Sequence, residues 1–174
     1  MIVFIIGAFG FENNDSGGQP IKSRELFYSL KRKLGDNQVK YLDTVGWKKH
    51  PFGFFISVLK KSKNADGIIM LPAQNGLLVF SKLLFLIKKI SKKKIYYDVI
   101  GGWLPKRIIS HKGVIKCLRY FDGIWVETKT MKRDLDKMGI NSTVVPNYKT
   151  LVPVNESSII YNRQSPFHIC IFSR

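Results

Sequence analysis

The sequence predicts an α/β fold, a parallel sheet with helices on both faces. Short apolar, β-branched runs alternate with stretches of helical periodicity, the pattern of a sheet buried on both sides. Glycine-rich breaks fall where a strand hands over to a helix, at Gly17-Gly18 and at Gly101-Gly102. The chain of 174 residues, 45% of them hydrophobic, is long enough for one α/β domain with a full core.

The elements follow in order. Strands are expected at 2–6, 39–42, 67–71, 94–100, 123–127 and 143–145, each a short run rich in Ile, Val, Leu or aromatic residues. The first helix is expected over 20–34, with Leu26, Phe27, Leu30 and Leu34 on one face. Pro20 falls in its first turn, where the missing N–H costs nothing, and Gly35 closes it. A second clear helix starts from Thr128 as N-cap, carries Met131, Leu135 and Met138 at helical spacing, and stops at Gly139. The stretch 51–63 reads equally as helix or loop, because Gly53 sits within an aromatic cluster. These elements make a Rossmann-like domain over 1–150. Pro146, Pro153 and Pro166 then punctuate a polar stretch read as a linker over 151–166, and 167–174 reads as the first strand of a second, truncated domain.

Twenty-nine Lys and Arg oppose 12 Asp and Glu, a net charge of +17. Such a field draws the protein toward nucleic acid, an acidic membrane or phosphorylated small molecules. The hydrophobic content excludes a disordered basic tail. The absence of RNP, helix-turn-helix and zinc-finger patterns leaves nucleic acid as an unexpected partner. Cys117 and Cys170 cannot form a disulfide framework or a cysteine zinc site, which fits a reducing cytoplasm. The N-terminal run lacks the basic lead-in of a signal peptide, and the run 77–90 is interrupted by lysines.

Three segments carry candidate chemistry. In Ser16-Gly17-Gly18-Gln19-Pro20 the glycines let backbone approach a ligand, and N–H groups at a helix start favour an anion such as a diphosphate, with Lys22 and Arg24 adding charge. In the second, Asp98 to Pro105, Gly101, Gly102 and Trp103 follow a strand's carboxyl end, where α/β sheets bind ligands. Trp103 reads as a pocket wall or as a core residue in a turn. His111 just beyond is a candidate polar contact, whereas His50 reads as surface and His168 as structural. No hydrolase triad, zinc-protease motif or paired carboxylate pattern appears, so no metal or cofactor is expected.

The third segment is the lysine-rich stretch 77–94. On a helical wheel Lys82, Lys88, Lys89, Lys92 and Lys93 share one arc, Leu83, Leu84, Leu86, Ile87 and Ile90 the opposite one, and Leu78 and Phe85 fall among the lysines. An interfacial helix would place those two side chains between lipid headgroups while the lysines meet anionic lipid. Phe52, Phe54, Phe55 and Ile56 followed by Lys60, Lys61 and Lys63 repeat the mixture upstream.

In their order, Ser16-Gly17-Gly18-Gln19-Pro20 with its helix, Ile100 to Pro105, Val126-Glu127-Thr128 through Leu135, Val145-Pro146-Asn147 and Phe172-Ser173-Arg174 resemble the N-terminal domain of a retaining family 4 (group 1) glycosyltransferase of the GT-B architecture. That resemblance implies a sugar nucleotide, UDP- or GDP-linked, whose diphosphate meets Gly17, Gly18, Lys22 and Arg174. It implies an acceptor, a lipid-linked saccharide, on the side of Asp98, Gly101, Gly102, Trp103 and His111. The family's acidic pair, which holds the nucleotide ribose and the sugar, would lie further on, so this chain alone is expected to be inactive, and its catalytic residues are unassigned. The implied location is peripheral on the cytoplasmic face of a bacterial plasma membrane, with a role in surface-glycan synthesis. A non-catalytic subunit pairing with a separate donor-binding chain is the competing expectation.

Overall fold

The computed structural model describes residues 1–12 and 17–147. The expected linker, the strand at 167–174, Ser16, His168, Cys170 and Arg174 lie outside the described residues. The elements are β1 (Val3–Gly7), α1 (Gly18–Leu34), β2 (Val39–Asp43), α2 (Pro51–Lys63), β3 (Gly67–Met70), α3 (Gln74–Ser91), β4 (Lys94–Asp98), α4 (Leu104–Ile108), α5 (Lys112–Leu118), β5 (Gly123–Val126), α6 (Lys129–Asp136) and β6 (Thr143–Val144).

The six strands form one all-parallel sheet in the order β2-β1-β3-β4-β5-β6. Right-handed crossovers dictate where the helices go. The chain moves from β1 outward to β2, then returns across β1 to β3, so α1 and α2 fall on opposite faces. From β3 on, every crossover runs the same way and stacks α3, α4, α5 and α6 on the face of α2. Alternation along β1 feeds both layers: Phe4 and Ile6 enter a large core with Val58, Phe80, Leu84 and Leu118, while Val3 and Ile5 meet Phe27 and Phe9 under α1. This is the Rossmann-like α/β class read from the sequence.

Local signals act where expected. Gly35 ends α1 at φ 95°, with its N–H bonded to the Lys31 carbonyl. Thr128 caps α6 by accepting the Met131 N–H at 3.2 Å. The ambiguous 51–63 stretch is helix: Pro51 opens it, and Phe54, Val58 and Ser62 turn inward at helical spacing. Burial of that stripe, with Phe54 against the rings of Trp47 and Phe80, outweighs the helix-weakening Gly53.

The wheel reading of 77–94 needs correction. The helix stops at Ser91, so Lys92 is its left-handed cap at φ 53° and Lys93 lies beyond it. Lys93 turns back to donate to the carbonyls of Lys63 (3.1 Å) and Ala65, and Lys88 pairs with Asp122. Leu78 packs against the large core, and Phe85 stands edge-on to Tyr120 with the Lys89 ammonium 5.1 Å from its own ring. Two residues of the apolar arc, Leu86 and Ile90, face outward at 54% and 77% exposure. No helix among the described residues is long and apolar enough to cross a membrane.

Candidate functional site

The carboxyl ends of the strands carry the cleft. Beyond β1 the connections diverge, to α1 on one face and, past β3, to α3 on the other, and such a switch leaves a crevice. Here it is a cavity of about 400 Å³. Trp47, Phe80 and Trp103 supply aromatic walls, and Gln19, Thr44 and Gln74 supply polar side chains at its edge. Gln19 is held in place by donating to the Leu71 carbonyl at 2.9 Å. The buried Tyr97 hydroxyl donates to the Pro72 carbonyl at 3.1 Å, fixing the loop that starts α3. Gly76 sits close to that loop, where an added Cβ would stand 2.7 Å from the Pro72 ring.

A second cavity of about 400 Å³ opens alongside, lined by Gly18, Lys22, Gly101, Glu127 and Asn147 among others. Its floor is ionic. The Lys22 ammonium lies 2.8 Å from Asp98, which ends β4, and 3.5 Å from Glu127, just past β5; it also donates to the Val99 carbonyl at 3.3 Å. All three side chains are at most 15% exposed. Burial raises the Asp98 carboxyl above its ordinary value, the contact with Lys22 opposes that rise, and the neighbouring Glu127 charge adds to it. With both acids ionised the trio carries one net negative charge. Two carboxylates thus share one lysine here, and carboxylate oxygens can accept hydrogen bonds from hydroxyl groups.

This arrangement assigns Lys22 a different use from the one read in sequence. Its charge is engaged by two carboxylates, so an incoming phosphate does not meet a free ammonium. Arg24 likewise donates to the Phe9 carbonyl at 2.8 Å. Gly17 and Gly18 do form the start of α1, which opens without a capping side chain or an acid in its first turn. Gly18, its first residue, lines the second cavity, so the partial positive charge of a helix start lies there.

Of the expected acceptor-side residues, the fold brings Gly101 to the second cavity and Trp103 to the first, while Asp98 is buried behind Lys22, which lines the second. Trp103 serves as pocket wall and core residue together: it packs on the large core and donates its indole N–H to the Ile100 carbonyl at 2.6 Å. Gly101 takes φ 80°, the left-handed turn that brings that indole back over the loop. Gly102 is exposed. His111 lines neither cavity; it caps α5 with its carbonyl and contacts the Ser110 hydroxyl at 3.0 Å. His50 is exposed at the start of α2.

Glu127 and Trp47 are the residues that sequence reasoning passed over. For Glu127 a signal existed: an acid just past one strand of a parallel sheet, beside a strand that itself ends in an acid. Trp47 had none, because a short 3-10 turn at Trp47–Lys49 decides where its ring points. Among the described residues no cluster of histidine, cysteine and acidic side chains could hold a metal ion. No family model matches the chain, and a search of curated proteins finds no match.

Proposed function

We propose that this chain is the acceptor-side domain of a retaining nucleotide-sugar glycosyltransferase that transfers a glycosyl unit from a UDP- or GDP-sugar to a lipid-linked saccharide. The observation that carries the reading is the double cleft at the sheet's carboxyl edge. Aromatic walls with amide and hydroxyl groups at the rim suit a sugar, whose ring faces are apolar and whose edge is a ring of hydroxyls. Beside it Glu127, paired with Lys22 on the wall of the second cavity, offers carboxylate oxygens to acceptor hydroxyls. Gly17 and Gly18 at the start of α1 admit close approach of the donor diphosphate, and the helix end stabilises charge developing there. Donor binding and the remaining transfer machinery belong to a second domain or a second chain.

Trp47 and Trp103 line the cleft, whereas Trp125 stacks on Tyr96 on the α1 side of the sheet. Tryptophan fluorescence is therefore a direct readout. Titrating the chain with oligosaccharides is expected to change the emission saturably, Trp103→Phe is expected to remove much of the change, and Glu127→Gln is expected to weaken binding. No response to any saccharide, with tight salt-sensitive binding of mixed oligonucleotides, would overturn the reading. Transfer from a labelled nucleotide sugar that appears only when a second polypeptide is added would identify the partner-subunit form of the same function.

A further inference from the structure

We infer that α2 and the carboxyl-terminal half of α3 form a docking surface for an anionic bilayer, with the groove between them taking lipid chains. Phe52, Ile56 and Leu59 recur along the outer face of α2 at 84%, 52% and 51% exposure. Leu86 and Ile90 face outward from α3. A groove of about 350 Å³ joins the two sets: Leu59 forms one wall, Ile87 and Ile90 the other, and Lys63 and Lys93 stand at its polar margin. Five large apolar side chains exposed along adjoining helices are more than the scattered hydrophobics of an ordinary surface.

Charge decides what covers them. Between Thr44 and Tyr97 the chain holds eleven lysines and one acid, Asp66. Lys60, Lys63, Lys82, Lys89 and Lys92 are exposed on or beside these two helices, and neither helix contains an acidic residue. A protein partner would need an acidic rim around an apolar centre, whereas an anionic leaflet presents that combination everywhere. Lysines near such a leaflet are drawn to its anionic headgroups, and the apolar stripe enters the headgroup region between them. The surface is not the one the helical wheel selects. Lys88, Lys93 and Leu78 are occupied within the fold, and Phe52, Ile56, Leu59, Leu86 and Ile90 take over the apolar role.

Only one end of this surface approaches the cleft: α2 and α3 run antiparallel to the strands, so the groove at Leu59, Ile87 and Ile90 lies toward the strands' amino ends, away from the cleft. Phe52 lies at the amino end of α2, five residues after Trp47, which lines the saccharide cavity. A bilayer lying along α2 from Leu59 to Phe52 would bring a lipid-linked saccharide to the end of that helix nearest the cleft. This last step rests on the glycosyltransferase reading; the docking surface does not.

The test is co-sedimentation of the chain with vesicles of phosphatidylcholine alone and mixed with phosphatidylglycerol. Binding is expected only to the mixed vesicles and is expected to weaken as salt rises. Ile56→Ser with Ile90→Ser should weaken it about tenfold, and Lys60→Glu with Lys89→Glu should weaken it at least as much. Lys33→Glu with Lys40→Glu, the same charge change on α1 and on the edge strand β2, should retain most of the binding. All these positions are exposed, Lys89 also standing 5.1 Å from the Phe85 ring, and unchanged far-ultraviolet dichroism checks folding of every variant. No binding to mixed vesicles, equal loss in all three variants, or oligonucleotide binding that outcompetes vesicles overturns the proposal. Vesicle binding lost with saccharide fluorescence intact removes the docking surface alone. Vesicle binding intact with no saccharide response sustains the docking surface and removes the glycosyltransferase reading.

Discussion

Replacing Lys22 by methionine keeps the length of the side chain and removes the ammonium that lies between Asp98 and Glu127. The two carboxylates would then face each other at low exposure without a cation between them. Breaking a buried pair in this way typically costs 3–5 kcal/mol, about 3 at the low end. The fold can limit that cost by protonating Asp98, whose carboxyl burial already raises. Holding a carboxyl protonated at pH 7, against an ordinary value of 3.8 in the unfolded chain, costs about 4 kcal/mol, and at pH 5 about 1.6. The sign follows from proton counting. A raised native carboxyl binds more protons than the unfolded one, so stability falls as pH climbs from the unfolded value through the native one. Lys22→Met is thus expected to lose about 3–4 kcal/mol at pH 7, or about 6–16 °C in melting temperature, and less than half of that at pH 5. Circular dichroism melts at the two pH values measure it. Adding Asp98→Asn should restore much of the loss. A deficit of the same size at pH 5 and pH 7 would refute the electrostatic account and leave only lost packing.

Two further predictions concern the elements that hold the cleft. Gly76→Ala improves intrinsic helix propensity by about 1 kcal/mol, yet its Cβ would meet the Pro72 ring at 2.7 Å and the Phe80 ring at 3.0 Å. Overpacking there is expected to win, with a net loss of about 1–2 kcal/mol on thermal melting and a smaller saccharide-induced fluorescence change. Thr128→Ala removes the side chain that accepts the Met131 N–H, and a loss of about 1 kcal/mol is expected, read as a fall of about 2–4 °C in melting temperature, while Thr128→Ser should retain most of the stability.

Much of the fold was legible because its signals are local. The β1 run is apolar at every position since both faces of a central parallel strand are covered, and the resulting pattern needs no knowledge of partners. The stop at Gly35 and the cap at Thr128 are likewise set by a few neighbouring atoms, whereas α6 ends at Asp136, before Met138 and the expected stop at Gly139. The stretch 51–63 was ambiguous because its propensity is weak; its helix is decided by Trp47 and Phe80 on the other side of the contact. The candidate site was half legible. Glycines and a tryptophan at strand ends marked the cleft, but His111 fell outside both cavities, since sequence order along a loop does not say which way the loop turns.

The sequence by itself determined the α/β class, the strand and helix succession and a charge of +17, because periodicity, turn chemistry and composition are properties of neighbours. Tertiary structure alone decided what each charge does. Lys22 meets an acid 105 residues away, Lys88 one 34 residues away, and Lys93 two carbonyls at the end of another helix, so three cations that look free in sequence are engaged in the fold. Tertiary structure also left Leu86 and Ile90 uncovered, since only part of an amphipathic arc finds a neighbour when two helices lie side by side on a sheet. Charge and hydrophobicity belong to residues; whether they are available belongs to the packing around them.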